Sequence, residues 1–213
     1  MLRAIGRAVL KAAGLYEGFV LTRHGPLAED GWVRSFRAGT PMDADGRPLP
    51  WLAYPAIDFL KRRVRPGMIV FEYGSGASTL WWANRVQEVV SCEHDREWYE
   101  RLLPLVPKNV TLRYAPLQRG GEYCRVVAEQ PGRYDIVVID GRDRVNCAAH
   151  APEGLTPGGV IVWDNTNRGE YAEGMRGLEA RGFRALAFTG LAPVMPDRTE
   201  TTVFYRDRNC LEL

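Results

Sequence analysis

Met68–Thr79 reads MIVFEYGSGAST. Its first half is a short apolar run without polar alternation, the pattern of a strand buried on both faces of a parallel sheet. The run stops at Glu72-Tyr73-Gly74-Ser75-Gly76, and a helical pattern, STLWWANRV, follows at once. Two glycines between a strand and a helix permit a tight turn and let a ligand approach the backbone at the helix N-terminus. A dinucleotide fingerprint places a third Gly at position 79, where this chain has Thr79. Glu72, just before the turn, would repel a pyrophosphate and suits a cationic ligand group.

The alternation of strand and helix extends outward from this stretch. Upstream, YPAIDFLKRRV places Ile57, Leu60 and Val64 on one helical face and ends at Pro66-Gly67. Downstream, EVVSCE, NVTLRYA, YDIVVIDG and GGVIVWDN read as strands. DREWYERLLPLV, GGEYCRVVAEQ, DRVNCAAHAPEGL and RGEYAEGMRGLEARG read as the helices that follow them in turn. FRALAFTG and TETTVFYR are two last strands with no helical pattern between them. Repeated strand–helix units imply a parallel sheet wrapped by helices on both faces, and a pair joined without a crossover is antiparallel. The expected fold is therefore α/β: a Rossmann-like, doubly wound, mostly parallel seven-stranded sheet with an antiparallel C-terminal strand. Ligands bind at the carboxyl ends of such strands.

Those ends hold the candidate residues. Glu93 lies about 20 residues beyond Glu72, the spacing at which an acid accepts hydrogen bonds from ribose hydroxyls. Its neighbour Asp95 is assigned as the N-cap of the next helix. His94 is placed against a nucleoside, and Trp98 is expected in the core. Asp140, Asp164 and Asn165 come from neighbouring strand tips. Hard oxygen groups clustered this way can hold Mg²⁺, or can orient a substrate hydroxyl and take its proton. Arg142 and Arg144 beside them are candidates for binding an anionic substrate.

Composition narrows the classes. The chain has 213 residues, 46% of them hydrophobic and 25% charged, which suits a single globular domain with an extension. A net charge of +2 is low for a nucleic-acid binder. Of 28 basic residues only Lys11, Lys61 and Lys108 are lysine. Cys92, Cys124, Cys147 and Cys210 form no CxxC pair, so a zinc ribbon is excluded, and they read as reduced thiols of a cytoplasmic protein. No apolar run has the length of a membrane span. The N-terminal stretch MLRAIGRAVLKAAGLYEGFVL carries Arg3, Arg7 and Lys11 at helical spacing, unlike a signal peptide. It is expected to pack on its own domain or on a second copy, as a homodimer. Residues 23–52 read as an irregular segment whose Trp32, Phe36 and Trp51 either cover a ligand site or pack the segment down onto the core. The chain thus divides into a helical and irregular substrate-side extension, residues 1–53, and a ligand-binding domain, residues 54–213, with acceptor recognition expected from the extension, the Asp143–Asn146 turn and the Gly190–Arg198 loop.

FEYGSGAST, Glu93, YDIVVIDG and GGVIVWDN together resemble the class I S-adenosylmethionine-dependent methyltransferases, specifically a bacterial subgroup. The resemblance covers roughly residues 54–206. It implies a cofactor site for S-adenosylmethionine made of Glu72, Tyr73, Gly74, Ser75, Gly76, Ser78, Glu93, His94, Ala115 and Asp140. It implies Asp140, Asp164 and Asn165 as the catalytic set, acting on a small-molecule acceptor, a hydroxyl oxygen in the first instance. Asp140 with Asp164-Asn165 is also partly similar to the metal set of the catechol O-methyltransferase group. That group has a Lys soon after its Asp, where this chain has Gly-Arg-Asp-Arg, so Mg²⁺ is not assigned. The Asn/Asp-Pro-Pro-aromatic motif of amino-methylating DNA enzymes is absent, which argues against a nucleic-acid substrate. The alternatives are an NAD(P)-dependent oxidoreductase, disfavoured by Glu72 and Thr79, and a non-catalytic S-adenosylmethionine-binding protein.

Overall fold

In the computed structural model, residues 2–213 are described, with side chains from Gly6 onward. The side chain of Arg3 therefore lies outside the described residues. The chain runs through α1 (Leu2–Ala12), α2 (Tyr16–His24), α3 (Pro26–Glu29), α4 (Trp32–Ala38) and α5 (Tyr54–Arg63) before its first strand. Then follow β1 (Ile69–Tyr73), α6 (Ala77–Ala83), β2 (Glu88–Glu93), α7 (Arg96–Leu102), β3 (Val110–Tyr114), α8 (Glu122–Arg125) and β4 (Tyr134–Ile139). The last elements are α9 (Arg144–Gly154), β5 (Leu155–Asp164), α10 (Ala172–Glu179), β6 (Arg184–Leu191) and β7 (Arg198–Tyr205).

The seven strands form one sheet in the order β3-β2-β1-β4-β5-β7-β6. β1 pairs in parallel with β2 and β4, and β7 lies antiparallel between β5 and β6. The sheet is thus mostly parallel with one reversed strand, as the unit pattern requires. Alternation along the strands sorts side chains into two cores. Phe71, Tyr73, Val137, Ile139, Ile161 and Trp163 face one side with Tyr123 and Ala148. Val70, Ile136, Val138, Val160 and Val162 face the other with Ile57, Leu60, Trp81 and Trp82. The order reverses between β1 and β4, where crossover helices leave the sheet on opposite faces and a crevice opens at the strand tips.

The N-terminal region departs from expectation in two ways. The first stretch is not one helix: Gly14, at φ 66°, breaks it into α1 and α2. Residues 23–52 are not irregular throughout, because α3 and α4 lie within them. Gly31 (φ 79°) and Gly39 (φ 63°) bracket α4. Helices of four and seven residues are too short to show a 3.6-residue apolar period. The helix after β3 is likewise reduced to α8 and a 3₁₀ turn, Val126–Glu129.

Candidate active site

A cavity of ≈ 820 Å³ opens over the carboxyl ends of β1, β2, β4 and β5. Gly74, Ser75 and Gly76 form its floor. Gly74 has φ 88°, in the left-handed region, and a Cβ there would stand 2.9 Å from the Cα of Gly141. A Cβ at Gly141 would in turn collide with the Tyr123 hydroxyl. Two backbone turns, one after β1 and one after β4, therefore touch because neither carries a side chain. A Cβ at Gly76 would meet nothing within 4 Å, so its absence leaves the floor clear.

Glu72 sits beneath this floor. It is fully buried, and its Oε2 accepts from the hydroxyls of Thr79 (2.6 Å) and Ser91 (3.0 Å). Thr79 Oγ1 also accepts from the Gly76 N–H at 2.9 Å. The residue that replaces the third fingerprint glycine thus ties the turn to Glu72. Glu72 Oε1 has no partner, and burial pushes the carboxyl up to about 7 against the hydroxyl bonds that pull it down.

Glu93, at the tip of β2, is held by three backbone N–H groups, with His94 Nδ1 2.9 Å from its Oε1. Its Oε1 accepts from the N–H of His94 (2.8 Å) and Asp95 (2.9 Å), and its Oε2 from that of Ser75 (3.0 Å). A carboxylate has about four lone-pair positions, so acceptor capacity remains on Oε2. Asp95 caps α7 by accepting from the Trp98 N–H, as expected. Trp98 itself is not core. It is 45% exposed, lines the cavity, and its Nε1–H donates to the Ser75 carbonyl at 2.8 Å. His94 also lines the cavity, with its ring edge-on to Tyr123.

Asp140, Asp164 and Asn165 meet on one guanidinium. Arg144 donates from Nη2 to Asp140 Oδ1 (3.0 Å) and the Asp140 carbonyl (2.9 Å). Its Nη1 donates to the Asp164 carbonyl (2.6 Å) and Asn165 Oδ1 (3.2 Å), and its Nε to the Gly141 carbonyl (2.9 Å). All five N–H donors of an arginine are used. The expectation that Arg144 binds an anionic substrate is therefore corrected: it staples the tips of β4 and β5 together. Asn165 holds a left-handed φ of 60°, and its Nδ2 donates to Thr199 Oγ1 at 2.9 Å. Asp164 accepts a short hydrogen bond from the Thr201 hydroxyl, and burial pushes its carboxyl up to about 6 while Thr201 and Arg144 pull against it. Burial, with the charge of Asp164 second, raises Asp140 well above the carboxylate range, and Arg144 opposes both.

The expected residues divide accordingly. Gly74, Ser75, Gly76, Ser78, Glu93, His94, Asp140, Asp164 and Asn165 all line the cavity. Glu72, Tyr73 and Ala115 are fully buried and do not. Glu72 supports the floor from below, the Tyr73 hydroxyl donates to the Cys124 carbonyl, and Ala115 donates its N–H to the Glu93 carbonyl. Trp51 lines the cavity, whereas Trp32 stacks on Phe36 and donates its Nε1–H to the Met195 carbonyl. Thr40 and Pro41 come from the extension expected on the substrate side, whereas sequence reasoning missed Asn167, Arg168 and Thr199. Asn167 and Arg168 follow closely on Asn165, a signal that was within reach; Thr199 arrives from a distant segment.

The overall fold recurs in solved structures. The chain superposes on a precorrin-6y C5,15-methyltransferase from Geobacter metallireducens with TM-score 0.57 and 16% identity, over 71% of this chain and 87% of that one. A precorrin 8w decarboxylase from Methanobacterium thermoautotrophicum gives 0.58 and 18%, over 79% and 97%. An rRNA methylase from Streptococcus thermophilus gives 0.51 and 16%, over 70% and 93%. The fold is the Rossmann-like methyltransferase fold. No protein-family model matches the chain, and no curated protein matches it.

The groups that the fold implies can be tested against these residues. A nucleoside needs an acceptor for its ribose and a flat apolar wall for its base. Glu93 and Trp98 provide both, beside a floor that no Cβ fills. The cavity is of the size that encloses a cofactor. A divalent cation fits poorly. Asp140 Oδ1 and Asn165 Oδ1 already accept from Arg144, and Asp164 Oδ1 accepts from Thr201. A fixed guanidinium charge stands among the oxygens that would have to surround the metal.

Proposed function

We propose that this protein transfers a methyl group from S-adenosylmethionine to a hydroxyl oxygen of a small molecule. The observation that carries the reading is Glu93, oriented by three backbone N–H groups toward a glycine floor. The cofactor would supply a methyl group already activated on a cationic sulfur. The chain's own residues then have to bind, align and exclude water. Glu93 accepts from the ribose hydroxyls, and Trp98 offers its exposed ring to the adenine. Asp164 is the general base: its carboxyl lies at the β5 tip on the cavity wall, and burial raises it toward the range suited to taking a proton from a hydroxyl. Asn165 and Arg144 fix its tip. The acidic group under the turn and the missing third glycine count against a pyrophosphate-bearing dinucleotide.

Calorimetry on the purified chain tests this. S-adenosylmethionine and S-adenosylhomocysteine should bind in the micromolar range, and Glu93→Ala should weaken both by at least about tenfold, the loss of charge-assisted hydrogen bonds to the ribose. Binding of NAD(H) in their place would overturn the reading. Tight binding of both with no methyl transfer to any hydroxylated acceptor would favour a non-catalytic binder.

A further inference from the structure

The cavity wall opposite Glu93 carries three arginines: Arg142 after β4, Arg168 after β5, and Arg198 at the start of β7. Among the described residues, none of the three side chains donates a hydrogen bond or forms an ion pair within the protein. This contrasts with Arg144, whose donors are all spent. The backbone that carries them is fixed. Asp143, next to Arg142, has φ 51° and accepts from the Gly120 N–H (2.8 Å) and from Asn146 Nδ2 (2.7 Å). The Arg168 N–H donates to the Asn165 carbonyl at 3.0 Å, and Asn165 is bonded to Thr199, beside Arg198. β7 is antiparallel to β5 with Asp164 opposite Thr201, so Arg198 projects past the tip of β5 toward the same rim.

The carboxylates of the cavity are placed differently. Glu93 and Asp95 are at the β2 tip, on the nucleoside side. Asp140 is paired with Arg144, and Asp164 is only 2% exposed. Among the described residues lining the cavity, Asp197 is the one exposed carboxylate on the arginine side. Three guanidiniums without an ion pair face the exposed Asp197 and the buried Asp164, on which the Arg168 charge also acts, so that side is cationic; a guanidinium recognises planar or tetrahedral oxyanions with parallel hydrogen bonds.

We propose that Arg142, Arg168 and Arg198 form an oxyanion-binding wall that selects a small hydroxylated acceptor bearing a carboxylate or phosphate group. The proposal rests on the methyl-transfer reading for the word acceptor, but the anion site is defined by the arginines alone. The anion anchors one end of the molecule, and its hydroxyl reaches Asp164 and Asn165 between the three arginines and the glycine floor. Trp51, 42% exposed on the rim, covers the carbon skeleton.

The test uses the full chain, with inorganic phosphate and succinate as separate probes, by calorimetry with and without saturating S-adenosylhomocysteine. Wild type should bind at least one of the two, and the preference between them tells phosphate from carboxylate. The Arg142→Ala/Arg168→Ala/Arg198→Ala variant should lose at least about tenfold in anion affinity, as expected for removing charge-assisted pairs. Its S-adenosylhomocysteine affinity should stay within about twofold; a larger loss would assign the arginines to the cofactor's own carboxylate and overturn the proposal. Arg142→Glu alone, at an exposed position, should weaken the same anion and guards against misfolding of the triple variant. Undiminished anion binding in these variants, or no anion binding by wild type, overturns the proposal. So does a mixed-sequence single-stranded RNA that binds through the same arginines and displaces both anions. Arginine-dependent anion binding without any S-adenosylhomocysteine binding would keep the wall and remove the methyl-transfer reading.

Discussion

Glu72 shows how one residue can matter to a site it never touches. Its carboxyl is sealed under the glycine turn, accepts from Thr79 and Ser91, and leaves Oε1 without a partner. Burial moves its pKa from 4.5 to about 7. A carboxyl whose pKa is raised by folding favours the folded state most when it is protonated. Its contribution is therefore full below about 4.5 and is lost as pH rises through about 7. Glu72→Gln keeps an acceptor for the two hydroxyls and removes the titration. Urea midpoints of wild type should fall between pH 5 and pH 8 relative to those of Glu72→Gln, and the difference should flatten above pH 8. Equal slopes in the two proteins would show that Glu72 does not titrate in that range.

At the scale of elements, the site is an arrangement of strand tips that need a common tie. β4 and β5 are adjacent parallel strands, and their carboxyl ends present Asp140 and Asp164 to one cavity. Two acids this close repel each other, which contributes to the raised Asp140. Arg144, at the first turn of α9, supplies the compensating charge and five hydrogen bonds to both tips. Arg144→Met keeps a comparable apolar stem but takes the guanidinium donors from the Asp140 carboxyl, three backbone carbonyls and Asn165 Oδ1. Breaking a buried pair from one side costs about 3 kcal/mol, so the urea midpoint should drop accordingly. Asp140→Asn in the Arg144→Met background should recover part of that loss, because an amide is neutral at every pH and needs no guanidinium to offset it. A midpoint unchanged in Arg144→Met would mean that water replaces the guanidinium at no cost.

For the molecule as a whole, the N-terminal extension divides by contact. α2 has no buried residue, and Val9, Leu15, Phe19 and Leu21 are exposed. Beyond Gly31 the extension becomes part of the domain: Ser35 is fully buried, Leu49 and Leu52 join the core around Trp81, and Pro41 and Trp51 line the cavity. The Ala53 N–H even reaches the Thr201 hydroxyl that holds Asp164. A chain beginning at residue 25 should melt within about 4 °C of the full chain, the shift of roughly 1 kcal/mol, and keep its affinity for S-adenosylhomocysteine. A chain beginning at residue 54 should lose both. If both truncations behave alike, the extension does not build the site.

The order of strands and helices was legible because each β unit announces itself locally: an apolar run, a glycine or acidic tip, then a helical period. That pattern determined the sheet, the reversed final strand, and the placing of Gly74, Glu93, Asp140, Asp164 and Asn165 at one edge. The short helices α3 and α4 escaped it, since fewer than two turns carry no period. What the side chains at the tips do was decided by tertiary structure. Nothing in the run Asp140-Gly141-Arg142-Asp143-Arg144 tells its two arginines apart; only folding buries Arg144 among five acceptors and leaves Arg142 free. Glu72 and Tyr73 belong to the same motif as Gly74, yet their side chains point into the two cores because a strand alternates and its tip does not. Arg168, Arg198 and Trp51 share one cavity only because β7 runs back along β5 and the extension folds over the tips. Local sequence sets backbone period and turn chemistry. Which polar groups remain unpaired depends on neighbours far away in the chain.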